Sequence, residues 1–252
     1  MLPTILKYLC LAITLSHATT SAGQSSSDFS LPPPSAEAGK QLQLWATHYF
    51  VHAAPSTPTG IPFQDKTGTA LSDKVSPRDW CLAAIEGTVQ VDFNGEPRTL
   101  NYGGVGSKNN VDCAAVLRIN PLKKPWITGV GKSFFTKANG TFGDGVKGYR
   151  LVPFRTIAVD RKTLPYGSVI YIPAARGIEI QLPTGMTAKH DGYFFAGDTG
   201  GAIKGQHVDV FCGISSKNCF PGFVRSDESL KFSAITISDK EIVKQLTDQH
   251  KK

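Results

Sequence analysis

The chain has 252 residues, of which 40% are hydrophobic and 10% aromatic, so it is long enough to bury one sizeable core. The formal net charge is +7, but the basic residues are scattered without an arginine-rich run or a recognition-helix pattern, which argues against a nucleic-acid partner. The charge favours an anionic partner, such as a cell-wall polymer or a membrane surface, although a merely solvated basic surface accounts for it equally well.

The first predicted element is a secretory signal peptide over residues 1–22. Lys7 gives a weak positive region, residues 8–15 form a short apolar core, and small residues in 16–22 offer cleavage positions. The apolar core is too short to span a bilayer and no later stretch of about 18 apolar residues exists, so no stable membrane span is predicted. Lipidation would need Cys10, which no small residue directly precedes. We expect an exported protein, periplasmic or secreted.

Between the leader and the folded domain lies a Ser/Pro-rich stretch, residues 23–40, which is typical of a flexible linker. The domain is predicted to cover residues 41–240, and residues 241–252 form a charged tail, with a short helix over Lys240–Leu246 as the alternative. The first half of the domain mixes strands with polar connections. Apolar residues alternate from residue 41, and we predict a strand at 44–52. Polar turns at 55–76, a short helix at 75–84, a hairpin turning at Asn94-Gly95, and a loop at 133–154 are predicted to follow.

The second half of the domain consists of short apolar runs separated by turn residues. Many short strands at close spacing need closure or stacking to cover their edges, so the predicted fold class is mainly β, with a barrel as the favoured architecture. The predicted strands are two within 155–173, joined by a Pro-containing turn, and one each at 178–182, 192–196, 208–212 and 233–238.

Four cysteines remain after removal of the leader, an even number that predicts disulfides in an exported chain. Three pairings are open, and proximity in sequence favours Cys81–Cys113 and Cys212–Cys219. No Cys-x-x-Cys motif is present and the histidines show no ligand spacing, so no metal site is predicted.

Residues 196–213 (AGDTGGAIKGQHVDVFCG) place two aspartates around a loop with little side-chain bulk. If residues 208–211 form a strand, Asp209 lies on the face opposite Val208 and Val210, which point into the core. The loop glycines permit close approach of a ligand to the backbone. The alternative is structural, because Asp198 begins a sequence that also makes a good self-bonded turn.

These residues resemble the three-aspartate (3D) domain family, which includes lytic murein transglycosylases. The resemblance covers residues 155–213: Ala-Val-Asp before a Pro-x-Gly turn, the string Asp-Thr-Gly-Gly-Ala-Ile-Lys-Gly, and the aspartate eleven residues after Asp198. It implies a six-stranded double-psi β-barrel with inserted loops or a small subdomain. Residues 61–154 match no pattern of the family and are interpreted as an insert, which forms either a second groove wall or a partner-binding surface.

The resemblance also implies roles for single residues. Asp209 is the candidate catalytic acid/base, and Asp198 orients it or binds sugar hydroxyls. Asp160 has a supporting role, with capping of its own turn as the alternative, and Asp191 is assigned to a structural turn. The candidate substrate-binding residues are Asp160, Thr199, Gly200, Gly201, Lys204 and Thr47. No metal or organic cofactor is implied.

The implied activity is lytic cleavage of the β-1,4 bond between N-acetylmuramic acid and N-acetylglucosamine, by a monomer acting on peptidoglycan glycan strands. One carboxyl group can serve as acid and then as base, provided that burial or a neighbouring carboxylate raises its pKa. Two alternatives stay open. The first is a non-catalytic, expansin-like wall-binding module. The second is a glycoside hydrolase whose second carboxylate comes from Asp65, Asp79 or Asp92.

Overall fold

The computed structural model describes Gln24, residues 26–35 and residues 39–251; the predicted signal peptide lies outside them. No helix in this part of the chain is long and apolar enough to cross a membrane. The strands are β1 (Gln41–Tyr49), β2 (His52–Ala53), β3 (Ser56–Gln64), β4 (Ala70–Val75), β5 (Thr88–Phe93), β6 (Glu96–Val105), β7 (Ser133–Lys137), β8 (Thr156–Val159), β9 (Val169–Tyr171), β10 (Glu179–Gln181), β11 (Thr187–Lys189), β12 (Tyr193–Asp198), β13 (His207–Phe211) and β14 (Phe232–Ile237). The α-helices are α1 (Pro77–Glu86), α2 (Cys113–Leu117), α3 (Ile127–Val130) and α4 (Lys240–His250).

Six strands close into a barrel in the order β1-β13-β8-β12-β9-β14. Two neighbouring pairs are parallel, β1 with β13 and β8 with β12, and the other four are antiparallel. Alternate residues of β13 point to opposite faces, so Val208 and Val210 are buried in the largest core cluster while Asp209 lies on the other face. The prediction of a mainly β protein with a closed barrel is confirmed.

A second lobe is inserted between β1 and β8 and has a core of its own. Its four-stranded sheet runs β2-β5-β6-β7, and α1 packs its buried face against it around Trp80, Phe63 and Phe135. The lobe runs from β2 to β7, and therefore begins and ends earlier in sequence than the predicted insert at 61–154. The cysteines pair as Cys81–Cys113, which ties α1 to α2, and as Cys212–Cys219 directly after β13.

Two of the local predictions in this lobe are confirmed in type and position. Helix α1 begins after Ser76, whose hydroxyl accepts from the Asp79 N–H, and ends at Gly87, which has a positive φ of 85°. The hairpin β5–β6 turns at Asn94 and Gly95, with φ of 55° and 80°. Both turn residues adopt the left-handed conformation that a primed turn requires.

The predicted polar turns at 55–76 and the predicted loop at 133–154 are wrong in part, because they contain β3, β4 and β7. Strands β3 and β4 form a two-stranded ribbon in which Phe63, Ser72 and Val75 are the buried residues, so no regular apolar alternation marks it in the sequence. Gly60, with a φ of 135°, lets the ribbon shift register where a Cβ atom would lie 2.1 Å from the Val75 carbonyl oxygen. In β7 only Ser133 and Phe135 are buried, and a glycine-rich loop follows.

The segment 26–35 and helix α4 pack against the barrel, and α4 forms where a short helix was the predicted alternative to a charged tail. Phe29 and Leu31 of the segment 26–35 are buried, and the Arg155 guanidinium donates a hydrogen bond to the Asp28 carbonyl. Helix α4 buries Leu246 and His250 against β12, and the His250 ring stacks on Phe195 at 4.1 Å. A few apolar side chains in polar sequence therefore hold both segments against the barrel, which composition alone does not reveal.

Candidate functional site

Strand β1 places Thr47, one of the predicted substrate-binding residues, beside Asp209. The parallel pairing of β1 with β13 places Thr47 opposite Asp209, and the Thr47 Oγ1 hydroxyl donates to Asp209 Oδ1 at 2.6 Å. Burial raises the pKa of Asp209 to about 6, against the lowering effects of the Thr47 hydrogen bond and of the charge of His48. A carboxyl group with this pKa exchanges its proton near neutral pH, as acid–base catalysis requires.

The second predicted aspartate, Asp198, is held by the same strand. It ends β12 at a register shift, and the Tyr49 hydroxyl donates to Asp198 Oδ2 at 2.8 Å. Burial raises the pKa of Asp198 to about 6; hydrogen bonds from the Thr199 backbone and Tyr49 lower it, and the charge of Asp209 raises it. Since Thr47 and Tyr49 are two residues apart in β1, both side chains leave the same face of that strand toward the two carboxyl groups.

A third carboxyl group, Glu86, was missed by the sequence reasoning. It is the last residue of α1, and its Oε2 accepts from the Phe50 N–H at 3.2 Å, directly after β1. Burial and, to a smaller extent, the charge of Asp209 raise the pKa of Glu86 to about 7, although the Phe50 hydrogen bond lowers it. Residues 47, 49 and 50 of one strand segment therefore hold carboxyl groups from β13, β12 and the inserted lobe.

Trp45 and His207 extend the site along β1 and β13. Their rings are stacked, with centroids 3.7 Å apart and planes within 5°, and Trp45 is half-buried. His207 Nε2 lies 2.8 Å from Thr47 Oγ1, the hydroxyl that also contacts Asp209. A hydroxyl has one proton to donate, so when Thr47 donates to Asp209 its oxygen can only accept from His207 Nε2. The direction of the Thr47–His207 hydrogen bond therefore depends on whether Asp209 is protonated. Alternation along β13 places His207 on the same face of the strand as Asp209.

The glycine-rich loop is organised by Asp160 rather than by the buried pair of aspartates. Asp160 accepts from the Gly205 and Lys162 N–H groups at 2.9 and 3.0 Å, and the Gly205 hydrogen bond is the main cause of its lowered pKa. Thr199 Oγ1 donates to the Val159 carbonyl at 3.3 Å, so this hydroxyl serves the backbone. Lys204 is exposed, and its charge acts on Asp160.

Two loop glycines occupy different environments. A Cβ atom on Gly200 would lie 2.9 Å from the Ile203 side chain, whereas at Gly201 it would meet nothing within 4 Å. Gly200 is therefore required for close packing inside the loop, and Gly201 leaves open space next to it. Among the described residues, no group of three or more His, Cys, Asp or Glu side chains is arranged to hold a metal ion.

Two of the three carboxylates considered for a hydrolase have structural partners in the inserted lobe. Asp65 closes the β3–β4 turn by accepting from the Thr67 and Thr69 N–H groups, and Asp79 accepts from the Ser76 hydroxyl at 2.6 Å. Asp92 is exposed on β5. The structure gives none of the three a hydrogen bond to Asp209 or Asp198; Glu86 is the acidic side chain of this lobe that interacts with Asp209.

Comparison with known proteins identifies one family model and several solved structures that this chain resembles. Residues 155–231, which contain Asp160, Asp198 and Asp209, match the family model of the 3D domain, so the predicted resemblance is confirmed. The structure is similar to that of a membrane-bound lytic murein transglycosylase from Agrobacterium tumefaciens, at 14% identity over 82% of this chain and 78% of that one, with a TM-score of 0.51. It is also similar to E. coli MltA with bound chitohexaose, at 18% identity over 77% and 71% of the two chains, with a TM-score of 0.49. No curated protein matches the sequence.

Proposed function

We propose that this protein is a peptidoglycan lytic transglycosylase, and that Asp209 is its acid/base. The observation that carries the proposal is the state of the Asp209 carboxyl group on strand β13. Burial raises its pKa to about 6, and the Thr47 hydroxyl donates to one of its oxygens at 2.6 Å. The 3D-domain match over residues 155–231 supports the same assignment.

In the proposed reaction the protonated Asp209 donates its proton to the glycosidic oxygen between N-acetylmuramic acid and N-acetylglucosamine. The C1–O bond breaks and N-acetylglucosamine leaves as an alcohol. The Asp209 carboxylate then takes the proton of the C6 hydroxyl of N-acetylmuramic acid, whose oxygen attacks C1 and closes a 1,6-anhydro ring. Asp209 is protonated again at the end, so one carboxyl group serves both steps and no water is consumed.

Neighbouring residues have supporting parts in this proposal. Asp198, with its pKa raised to about 6, orients the sugar or the acid/base through Tyr49, and the Trp45–His207 stack offers an aromatic surface to a sugar ring. Gly201 leaves room for a glycan strand beside the loop, where exposed Lys204 can meet an acetamido or lactyl group. Asp160 and the Thr199 hydroxyl hold the loop in shape, and Gly200 packs within it.

We further propose a double-psi topology for the barrel, which its two parallel strand pairs support. The two disulfides fit an exported protein, periplasmic or secreted, with residues 1–22 as its signal peptide. The proposed unit is a monomer, because Asp209 and the partners that hold it belong to one chain.

The test is digestion of purified peptidoglycan by the mature protein, by Asp209→Asn and by the exposed control Asp227→Asn, with the products identified by mass spectrometry. The proposal requires anhydro-muropeptides from the wild type and the control but none from Asp209→Asn. Reducing-end products, heavier by one water, would instead identify a hydrolase. Glu86 would then supply the second carboxyl group, since its pKa is also raised. An absence of products while all three proteins sediment with the wall would identify a binding module.

A Thr47→Val substitution is expected to move the alkaline limb of the kcat/KM profile upward by about one pH unit. The Thr47 hydroxyl stabilises the ionised form of Asp209, so its removal raises the pKa of Asp209 above about 6 and keeps the acid protonated at higher pH. The profile is measured by release of soluble fragments from peptidoglycan. Thr47→Ser retains the donor and should restore the wild-type limb; coincident limbs for Thr47→Val and wild type would refute the role of this hydrogen bond.

A further inference from the structure

The segment 102–137 of the inserted lobe concentrates both charge and exposed apolar surface. It contains six basic residues and one acidic residue, a net charge of +5 out of +7 for the whole chain. Among the described residues, eight large apolar side chains are at least 40% exposed, and half of them lie in this segment. They are Tyr102 (43%), Val105 (58%), Leu122 (91%) and Trp126 (52%).

Backbone hydrogen bonds join the parts of this segment. Val105 pairs with Ser133 across β6 and β7, and the Gly106 N–H donates to the Lys132 carbonyl at 2.7 Å. Lys132 follows α3, and Trp126 directly precedes that helix. The end of the β6–β7 strand pair at Val105 and Ser133 is therefore joined to the loop at 120–126 by the single turn of α3. We call residues 105 and 120–132 the basic tip.

The exposure of Leu122 is fixed by a hydrogen-bonded turn. The Asn120 side-chain oxygen accepts from the Leu122 N–H at 2.9 Å, and the Asn120 carbonyl accepts from the Lys123 and Lys124 N–H groups. The turn therefore presents an apolar residue with two exposed lysines directly after it, and Trp126 comes two residues later. The acidic residue of the segment, Asp112, caps α2 through the Ala115 N–H and lies outside the tip, as do three of the six basic residues. The tip itself carries three lysines, Lys123, Lys124 and Lys132, and no acidic residue.

We propose that the basic tip docks on the surface of an anionic lipid bilayer. Leu122 and Trp126 enter the boundary between headgroups and acyl chains, where apolar and aromatic side chains are stabilised, and Lys123 and Lys124 meet the anionic headgroups. A negatively charged polysaccharide or an acidic wall polymer would interact favourably with the lysines. It offers no apolar phase, however, in which Leu122, which is 91% exposed, could be buried. This docking is independent of glycan cleavage.

The experiment is co-sedimentation of the mature protein with vesicles of equimolar phosphatidylglycerol and phosphatidylcholine, with pure phosphatidylcholine vesicles as the comparison. Binding is expected to the anionic vesicles and to weaken at high salt, because salt screens the lysine contribution. Lys123→Gln/Lys124→Gln is expected to weaken binding about 30-fold, and Leu122→Ser about tenfold.

Matched controls separate the tip from general charge and hydrophobicity. Lys66→Gln/Lys217→Gln removes the same charge at exposed sites elsewhere, and Leu230→Ser removes an apolar side chain that is 41% exposed. Both controls should bind like wild type, and all variants should unfold at the wild-type urea concentration, because the altered side chains are exposed. The proposal is overturned if wild type ignores anionic vesicles or if the lysine control loses binding equally. It is also overturned if Leu122→Ser binds like wild type, which would indicate a polyanion site instead.

Discussion

Asp209→Asn is expected to lower peptidoglycan cleavage by a factor of about 10²–10⁴ or more, because the variant retains no group that can donate and then accept the proton. The asparagine side chain keeps the shape of aspartate and can still accept the Thr47 hydrogen bond, which is 2.6 Å long in the wild type. The loss should therefore appear in kcat, with binding to intact peptidoglycan preserved. Initial rates of fragment release and a wall co-sedimentation assay measure the two quantities separately.

The same substitution is expected to stabilise the fold at pH 7 by about 2–3 kcal/mol. Burial raises the pKa of Asp209 from 3.8 to about 6, so the unfolded chain ionises at lower pH than the folded one. The wild type consequently loses stability as pH rises from about 4 to 6, whereas asparagine carries no such cost. Urea unfolding at pH 4 and pH 7 should show the stabilisation only at pH 7. A variant that is less stable than wild type at pH 7 would contradict the burial of an acid with a raised pKa.

Arg155→Met is expected to lower the free energy of unfolding by about 3–5 kcal/mol, because it leaves the Asp191 carboxylate buried without its ionic partner. The fully buried Arg155 guanidinium donates to both Asp191 oxygens at 2.6 and 2.8 Å, and to the Tyr193 carbonyl at 2.7 Å. Burial alone would raise the pKa of Asp191, but the Arg155 hydrogen bonds and charge outweigh it and hold the pKa below its usual value. Urea unfolding at pH 7 measures the loss.

The Arg155 substitution should also release the N-terminal segment 26–35. Arg155 contacts the Asp28 carbonyl and lies over the Phe29 ring at 4.2 Å, and Asp191 accepts from the Leu31 N–H at 3.1 Å. Limited proteolysis should cut this segment faster in Arg155→Met than in wild type. The exposed Arg161→Met is the matched control, and Arg155→Met/Asp191→Asn should recover part of the stability because no unpaired charge remains. A loss no larger than that of Arg161→Met would contradict this account.

The parts of the fold that the sequence predicts well are those governed by local rules. Apolar runs of about five residues mark the barrel strands, the helix predicted at 75–84 forms as α1, and Asn94-Gly95 marks a hairpin. Alternation along β13 correctly places Asp209 opposite the two buried valines, Val208 and Val210. In the β3–β4 ribbon the buried residues do not alternate regularly with exposed ones, so the periodic signal is missing and the prediction is wrong in part.

The parts of the site that escape prediction depend on contacts between residues far apart in sequence. Thr47 reaches Asp209 across 162 residues, because two strands pair in parallel. Glu86 reaches the site because α1 ends next to Phe50, and helix capping alone does not show which way the inserted lobe faces the barrel. Asp191 was correctly assigned a structural role, but the turn sequence around it does not show that Arg155 is its partner. The packing of the segment 26–35, which depends on Arg155, could not be predicted either.

Whether Asp209 cleaves a glycosidic bond with the sugar's own hydroxyl as nucleophile is tested most directly by product analysis in ¹⁸O-labelled water. Peptidoglycan is digested with the wild-type protein in labelled water, and the new muropeptide ends are weighed by mass spectrometry. We predict anhydro ends that carry no label, because water takes no part in the reaction. Reducing ends that carry one ¹⁸O atom would show that water is the nucleophile and would contradict the transglycosylase mechanism.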